Sequence, residues 1–242
     1  MLDLPQAGHD AHAMKLIFNL LCLALLPLGV SAEEITGTSV VPTNSVVLFK
    51  VPTGHLELFN GQDFIGWTFC MRSNADPALA WTVTNGVIHC SGQPTGYLRT
   101  KSAYRDYQLT VEWRFVKVAP KADNTGVLLH MQLPDNVWPP CIQAQGKSEH
   151  QGDWILMAGA ECKEHKGMTE AASIPKQGPS NEKPVGEWNN YHLVCSGNDV
   201  KAWVNGKFMN EATECTLTSG FIGFQSEGGE FEIRKVSLEP LK

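Results

Sequence analysis

Apolar and polar residues alternate with a period of two along much of this chain. In YQLTVEWRF, Leu109, Val111, Trp113 and Phe115 share one side while Thr110, Glu112 and Arg114 share the other, the pattern of a strand with one buried face. By the same rule TGVLLHMQ turns Val127, Leu129 and Met131 inward and Leu128 and His130 outward, and IQAQ turns Ile142 and Ala144 inward with Gln143 and Gln145 outward. YHLVCSG, FIGFQ and FEIRKVSLE continue the series. Asn85-Gly86 and Asn205-Gly206 each lie between two β-rich runs, a strong hairpin signal because both residues tolerate positive φ. No amphipathic helix of several turns interrupts this pattern after residue 32. The expectation is an all-β domain of two packed antiparallel sheets, with Trp67, Trp81 and Trp113 in its core.

Two stretches break the alternation. The first begins at Met14 and Lys15, where the apolar run LIFNLLCLALLPLG leads into Val30-Ser31-Ala32 and then Glu33-Glu34. A charged start, an apolar centre and a small-residue cleavage site describe a secretory signal over residues 1–32, with Met14 as an alternative start. The run is shorter than the roughly 20 residues a spanning helix needs, so no stable membrane anchor is expected. Residues 33–54 read as a linker and 55–242 as the sandwich domain; the protein is expected to be secreted or periplasmic. The second break, Gly146 to Trp188, is rich in Gly, Lys, Glu and His and strand-like only at WILM; insertions of this length usually cover a site or move.

Composition narrows the chemistry. A net charge of −6 gives no attraction to phosphate backbones, so nucleic acid is not an expected partner. Beyond the leader lie Cys70, Cys90, Cys141, Cys162, Cys195 and Cys215; export permits disulfides among them, the spacing selects none, and buried thiols fit Cys90 and Cys195 equally well. His150, Asp153, Glu161, Glu164 and His165 sit in the long insertion without metal-ligand spacing. No cofactor is therefore expected, with a divalent metal left open. Nucleophile elbows and phosphate-cradling glycine loops are missing as well.

If the three alternating strands were neighbours, one sheet face would gather Glu112, Arg114, His130, Gln143 and Gln145. A solvated outer face is the plain alternative. Glutamine and histidine are unusual for such a face, however, and Trp138 stands just upstream. Amides and an aromatic ring suit sugar hydroxyls and the C–H face of a pyranose. On this reading Gln143, Gln145 and Trp138 bind a carbohydrate, and His130, Glu112 and Arg114 supply chemistry.

Six segments in order carry a resemblance: LFNGQDFIGW (58–67), WTVTNGVIHCSGQPTGYLRT (81–100), YRDYQLTVEWRF (104–115), NTGVLLH (124–130), GEWNNYHLVCSG (186–197) and GFIGFQSEGGEFEIRKVSL (220–238). Together they resemble the 3-keto-disaccharide hydrolase family, over about residues 55 to 240. The resemblance implies a concanavalin A-like jelly-roll sandwich and an exported enzyme acting on glycosides already oxidised at C3. A C3 ketone acidifies the C2 proton, so a base removes it, donors hold the enolate, the glycosidic oxygen leaves C1 and water adds back. Residue type and facing put His130 or Glu112 as base and Arg114 on the enolate oxygen. The chain departs from the family's Glu-x-Gln at Gln143-Ala144-Gln145, which removes one carboxylate. The alternatives are a non-catalytic carbohydrate-binding module or a structural scaffold on the same fold.

Overall fold

The structure is a computed structural model that describes residues 48–117, 124–169 and 173–242. The expected leader, and the linker up to residue 47, lie outside the described residues. The described chain forms strands β1 (Phe49–Lys50), β2 (Leu56–Glu57), β3 (Trp67–Met71), β4 (Trp81–Thr84), β5 (Val87–Cys90), β6 (Gly96–Thr100), β7 (Ala103–Tyr104), β8 (Tyr107–Phe115), β9 (Gly126–Met131), β10 (Cys141–Gln145), β11 (Trp154–Met157), β12 (Ser173–Ile174), β13 (Asn189–Ser196), β14 (Asp199–Val204), β15 (Lys207–Ala212), β16 (Phe221–Ser226) and β17 (Phe231–Pro240).

Most of these strands build two antiparallel sheets, while β1, inside the segment expected to be a linker, pairs in parallel with β7 as a two-stranded ribbon. One sheet runs β12-β11-β10-β9-β16-β6-β3; the other runs β15-β14-β13-β8-β17-β5-β4, with β2 added against β17. The two Asn-Gly turns close β4 on β5 and β14 on β15, with φ of 53° and 78° at Asn85-Gly86 and 49° and 80° at Asn205-Gly206. Positive φ at both central residues gives a turn whose twist matches the strands it joins.

The inner faces of both sheets make one core. Tyr107, Leu109, Val111, Trp113 and Phe115 of β8 enter it from one side; Val127 and Leu129 of β9, Ile142 and Ala144 of β10 and Phe224 of β16 enter from the other. Trp67, Trp81 and Trp113 are core residues as expected. The seven-stranded sheet also carries a small apolar cluster on its outer face, where Tyr97, Leu128, Met131, Cys141 and Phe221 meet.

Alternation fails at one place in β9. Met131 pairs with Phe221 and Leu128 with Gly223, so Leu129 and His130 together oppose the single residue Ile222. This is a β-bulge; one extra residue reverses the facing of everything beyond it. His130 takes the left-handed conformation, φ 53°, and Gly220 lies so close beside it that a Cβ there would meet the His130 carbonyl carbon at 2.4 Å. Met131, expected inward, therefore faces outward, and His130, expected outward, turns into the interior. There its Nδ1–H donates to the Leu217 carbonyl at 3.0 Å, and its ring stands edge-on to Tyr107 with centroids 5.8 Å apart.

Burial lowers the His130 pKa from 6.5 to about 4, so the ring is neutral near pH 7. The unfolded chain binds this proton at higher pH than the native chain does, so native stability falls as pH drops from about 6.5 toward 4. The loss attributable to this residue is roughly 2–3 kcal/mol by pH 4.5. Asparagine accepts the left-handed conformation, so His130→Asn should flatten this fall when urea midpoints are compared at pH 7 and 4.5. Parallel pH dependence in the two proteins would contradict the assignment.

Candidate functional site

The outer face of the seven-stranded sheet holds an open cleft of about 240 Å³. Its floor is amide. Gln143 on β10, Gln145 two residues on, and Gln225 on β16 all project from the same face, and β9 between them is narrowed by Gly126. That glycine is required: a Cβ at position 126 would fall 2.4 Å from Gln143 Nε2, so only glycine lets the Gln143 side chain lie flat across β9. Gln143 Nε2 donates to Gln145 Oε1 at 3.3 Å and to Gln225 Oε1 at 3.2 Å. With both its N–H groups committed, Gln143 has its Oε1 left to accept, and Gln225 has its Nε2 left to donate.

The walls differ in character. On one side stand Ile155 and Met157 of β11, which the long insertion adds beside β10. On the other stands Glu227, just past the end of β16, the one carboxylate among the residues lining this cleft. Its Oε2 accepts from Asn124 Nδ2 at 2.6 Å. Burial raises the Glu227 pKa above its ordinary 4.5, opposed by the positive charge of Arg72 and by the Asn124 hydrogen bond. A carboxylate with a raised pKa, half withdrawn from water, is a stronger base than an exposed one and holds a proton to higher pH.

Trp138 forms the rim and is held there by ionic contacts below it. The loop from Gln132 to Pro140 is drawn onto the sheet by Asp135, which accepts from Arg99 Nε at 2.7 Å, from Arg99 Nη2 at 2.5 Å and from the Tyr97 hydroxyl at 2.8 Å. This bidentate geometry is the stronger form of a carboxylate–guanidinium pair. The Arg99 guanidinium also lies over the Phe221 ring at 4.3 Å, and it holds the Asp135 carboxyl below its usual range. Gln132 closes the loop base by donating to the His130 and Ser219 carbonyls, and Asn136 Oδ1 accepts from the Trp138 amide at 2.8 Å.

Of the residues expected to share one face, Gln143, Gln145 and Trp138 come together in this cleft. Glu112, Arg114 and His130 do not join them. β8 pairs with β13 and β17 in the other sheet, so its outward row lies on the opposite exterior of the sandwich. There Arg114 donates to Glu232 at 2.7 Å and to the Gly186 carbonyl at 2.9 Å, and Arg234 donates to Glu112 at 2.6 Å. Both guanidiniums cover the Trp188 ring, at 4.4 and 4.5 Å. Glu112 and Arg114 are thus engaged in a surface ion-pair lattice, and His130 is interior. The catalytic set expected from strand parity is not assembled.

Sequence reasoning missed Asn124, Gln225 and Glu227. The signal for two of them was present, since Phe221, Gly223, Gln225 and Glu227 alternate with Ile222, Phe224 and Ser226. The insertion residues behave as ordinary polar partners: His150 Nδ1 lies 2.8 Å from Asp153 Oδ2, and His165 Nδ1 lies 3.2 Å from Glu161 Oε2. Among the described residues no three His, Cys, Asp or Glu side chains converge as a metal-ligand set.

Residues 54–239 match the 3-keto-alpha-glucoside-1,2-lyase-like domain. The chain belongs to that family. A candidate glycosyl hydrolase from Parabacteroides distasonis superposes on this 3-keto-alpha-glucoside-1,2-lyase-like domain with a TM-score of 0.58 at 22% identity, covering 78% of this chain and 94% of the other. The carbohydrate binding module CBM66 from Bacillus subtilis superposes with a TM-score of 0.54 at 10% identity, covering 72% and 95%. No curated protein matches the chain. At these identities the likenesses establish the fold alone, a two-sheet jelly-roll sandwich. No helix among the described residues is long and apolar enough to cross a membrane.

Asp135→Asn removes one charge of the pair and leaves a largely buried guanidinium without its counter-ion. Urea denaturation should report a loss of about 1–3 kcal/mol, the usual consequence of leaving a charged hydrogen-bond partner unmatched. An unchanged midpoint would show that the loop bearing Trp138 is held by other means.

Proposed function

We propose that this protein cleaves glycosides that carry a ketone at C3, acting outside the cytoplasm, and that Glu227 is its acid–base group. The observation that carries this reading is the solitary carboxylate, raised in pKa, at the edge of an amide-floored cleft with Trp138 on its rim. Conventional glycoside hydrolysis needs two carboxyl groups flanking the bond, and this cleft has one. Elimination next to a ketone needs only one base, together with donors for the oxygen that becomes an enolate. Membership of a 3-keto-alpha-glucoside-1,2-lyase-like family supports the same route.

In the proposed reaction the Glu227 carboxylate removes the C2 proton and the electron pair moves toward the C3 oxygen. Free amide N–H groups of the floor, Gln225 Nε2 foremost, donate to that oxygen. The enolate electrons then return to form the C1–C2 double bond as the C1–oxygen bond breaks, and the departing aglycone oxygen takes up a proton. The conjugated ketone so formed can leave, or add water across C1–C2. Trp138 packs against the C–H face of the sugar, where an aromatic ring binds without competing for hydroxyls.

A second reading is supported by Gln143, which stands where an acidic residue is expected from the family pattern: the same cleft then binds sugar without turning it over, as a carbohydrate-binding module does. Incubation with a methyl 3-keto-α-glucoside, followed by NMR, separates the two. Conversion of the ketone while the unoxidised glucoside stays intact is the expected result; saturable binding without conversion would favour the module.

Glu227→Gln should lower kcat/KM by roughly 10²–10⁴-fold, the usual contribution of a positioned base. A base must be deprotonated, so kcat/KM of the wild type should fall as pH drops through the raised Glu227 pKa, with the acidic limb displaced above 4.5. That limb should vanish from the residual activity of Glu227→Gln. Retention of both rate and limb would remove Glu227 from the reaction.

A further inference from the structure

Beyond β11 the long insertion is tied to the sandwich at several points, among them Gly186 N to the Phe115 carbonyl at 2.9 Å and Asn181 Nδ2 to the Val204 carbonyl at 2.8 Å, and one of these junctions is a short backbone pairing. Lys163 N donates to the Thr213 carbonyl and Thr216 N donates to the Glu161 carbonyl, each at 2.9 Å, so residues 161–163 run antiparallel against residues 213–216. Side chains tighten the junction. Glu164 accepts from the Thr213 amide at 2.8 Å and its hydroxyl at 2.7 Å, and Thr216 Oγ1 accepts from the Glu161 amide at 3.0 Å. Cys162 is the one residue between these two pairings on its segment, and Glu214 and Cys215 are the two between them on the other, a bulged arrangement with Glu214 at φ 52°. Both cysteines are buried in the main core, at 5% and 4% exposure.

We propose that Cys162 and Cys215 form a disulfide in the mature protein, which pins the insertion, and with it the cleft wall made by β11, to the segment joining β15 and β16. The placement is specific. Facing positions on paired backbone bring two Cβ atoms within the short span a disulfide needs. Cys90 and Cys195, by contrast, behave as isolated interior thiols, each pushed up to about 12 by burial. At the junction the Cys215 thiol donates to the Ala212 carbonyl at 3.6 Å, and the two cysteines are close enough to shift each other, Cys162 downward and Cys215 upward.

The chemistry needs a disulfide oxidant, such as oxidised glutathione or an exported dithiol–disulfide oxidoreductase. The Cys162 thiolate attacks the oxidant's S–S bond, forming a mixed disulfide and releasing one thiolate. The Cys215 thiolate then attacks the Cys162 sulfur and expels the second. Two protein thiols become one disulfide and the oxidant disulfide becomes two thiols, with both thiol protons passing to solvent or to the released thiolates. Because both sulfurs are buried once the segments pair, the bond closes during folding. Six cysteines leave the partner choice open in the sequence; the pairing of 161–163 with 213–216 makes it.

The proposal does not depend on the substrate. Denatured, reduced protein refolded with a mixture of reduced and oxidised glutathione, then alkylated without reductant and digested, should give a peptide pair joining Cys162 to Cys215, lighter by two hydrogens than the reduced pair. The other four cysteines should be alkylated. Reduction should lower the Tm of the refolded wild type by roughly 5–15 °C, the scale expected for opening a long covalent loop in a domain of this size. It should leave the Tm of Cys162→Ser unchanged. Reduction should also speed amide exchange across Trp154–Met157, which a cross-link elsewhere would not do. Alkylation of both Cys162 and Cys215 in correctly refolded protein, or a bond from either to another cysteine, would overturn the proposal.

Discussion

The inward row of β8 organises the molecule. Tyr107, Leu109, Val111, Trp113 and Phe115 project into the interior and are met there by Val127, Leu129, Ile142 and Ala144 of the opposite sheet. These side chains leave water only if β8 and the pair β9–β10 lie in different sheets, facing each other. Apolar burial at about 25 cal/mol per Å² makes that arrangement the dominant favourable term in folding, and the backbone pairings follow it. The same requirement decides what each exterior carries. Outward residues of β8 emerge on one side of the sandwich and outward residues of β10 on the other.

The two exteriors are built on different principles. Outside β8, charge is matched with charge: Glu232, Arg114, Arg234 and Glu112 pair around the Trp188 ring, and little is left unsatisfied. The Arg234–Glu112 pair is partly exposed and contributes modestly to stability, whereas Glu232 is buried and depends on Arg114 for its charge partner. Outside β10 the polar groups are amides bonded to one another in a row, with capacity remaining in the direction of the cleft. A row of this kind is rigid because Gly126 lets Gln143 lie against the backbone, and it is neutral, so Glu227 beside it experiences desolvation more than attraction. Burial of that carboxylate raises its pKa against the opposing pull of Arg72 and Asn124.

Around this floor the walls are supplied by segments distant in sequence and fixed by local interactions of different kinds. Trp138 depends on the Arg99–Asp135 pair beneath its loop, while Ile155 and Met157 depend on the pairing of β11 with β10. The junction of residues 161–163 with 213–216 completes the fastening of the insertion on its far side. The cleft is thus a rigid sheet face with added walls, an arrangement in which a site gains precision from the strands and selectivity from the loops.

Much of this was legible in the amino-acid pattern. Alternation along YQLTVEWRF and IQAQ gave the inward and outward rows correctly, the two Asn-Gly pairs marked real hairpins, and six ordered segments identified the family and its sandwich. These are local properties, set by the period of an extended chain and by the φ angles that asparagine and glycine tolerate. Which strands are neighbours is not local. The chain crosses from one sheet to the other between β8 and β9, so Glu112 and Arg114 are carried to the exterior opposite Gln143, and a single bulged residue turns His130 inward. Periodicity encodes the side on which a residue lies relative to its own strand; only the packing of the two sheets decides which sides come together, because the energy of that choice resides in contacts between residues far apart in the sequence.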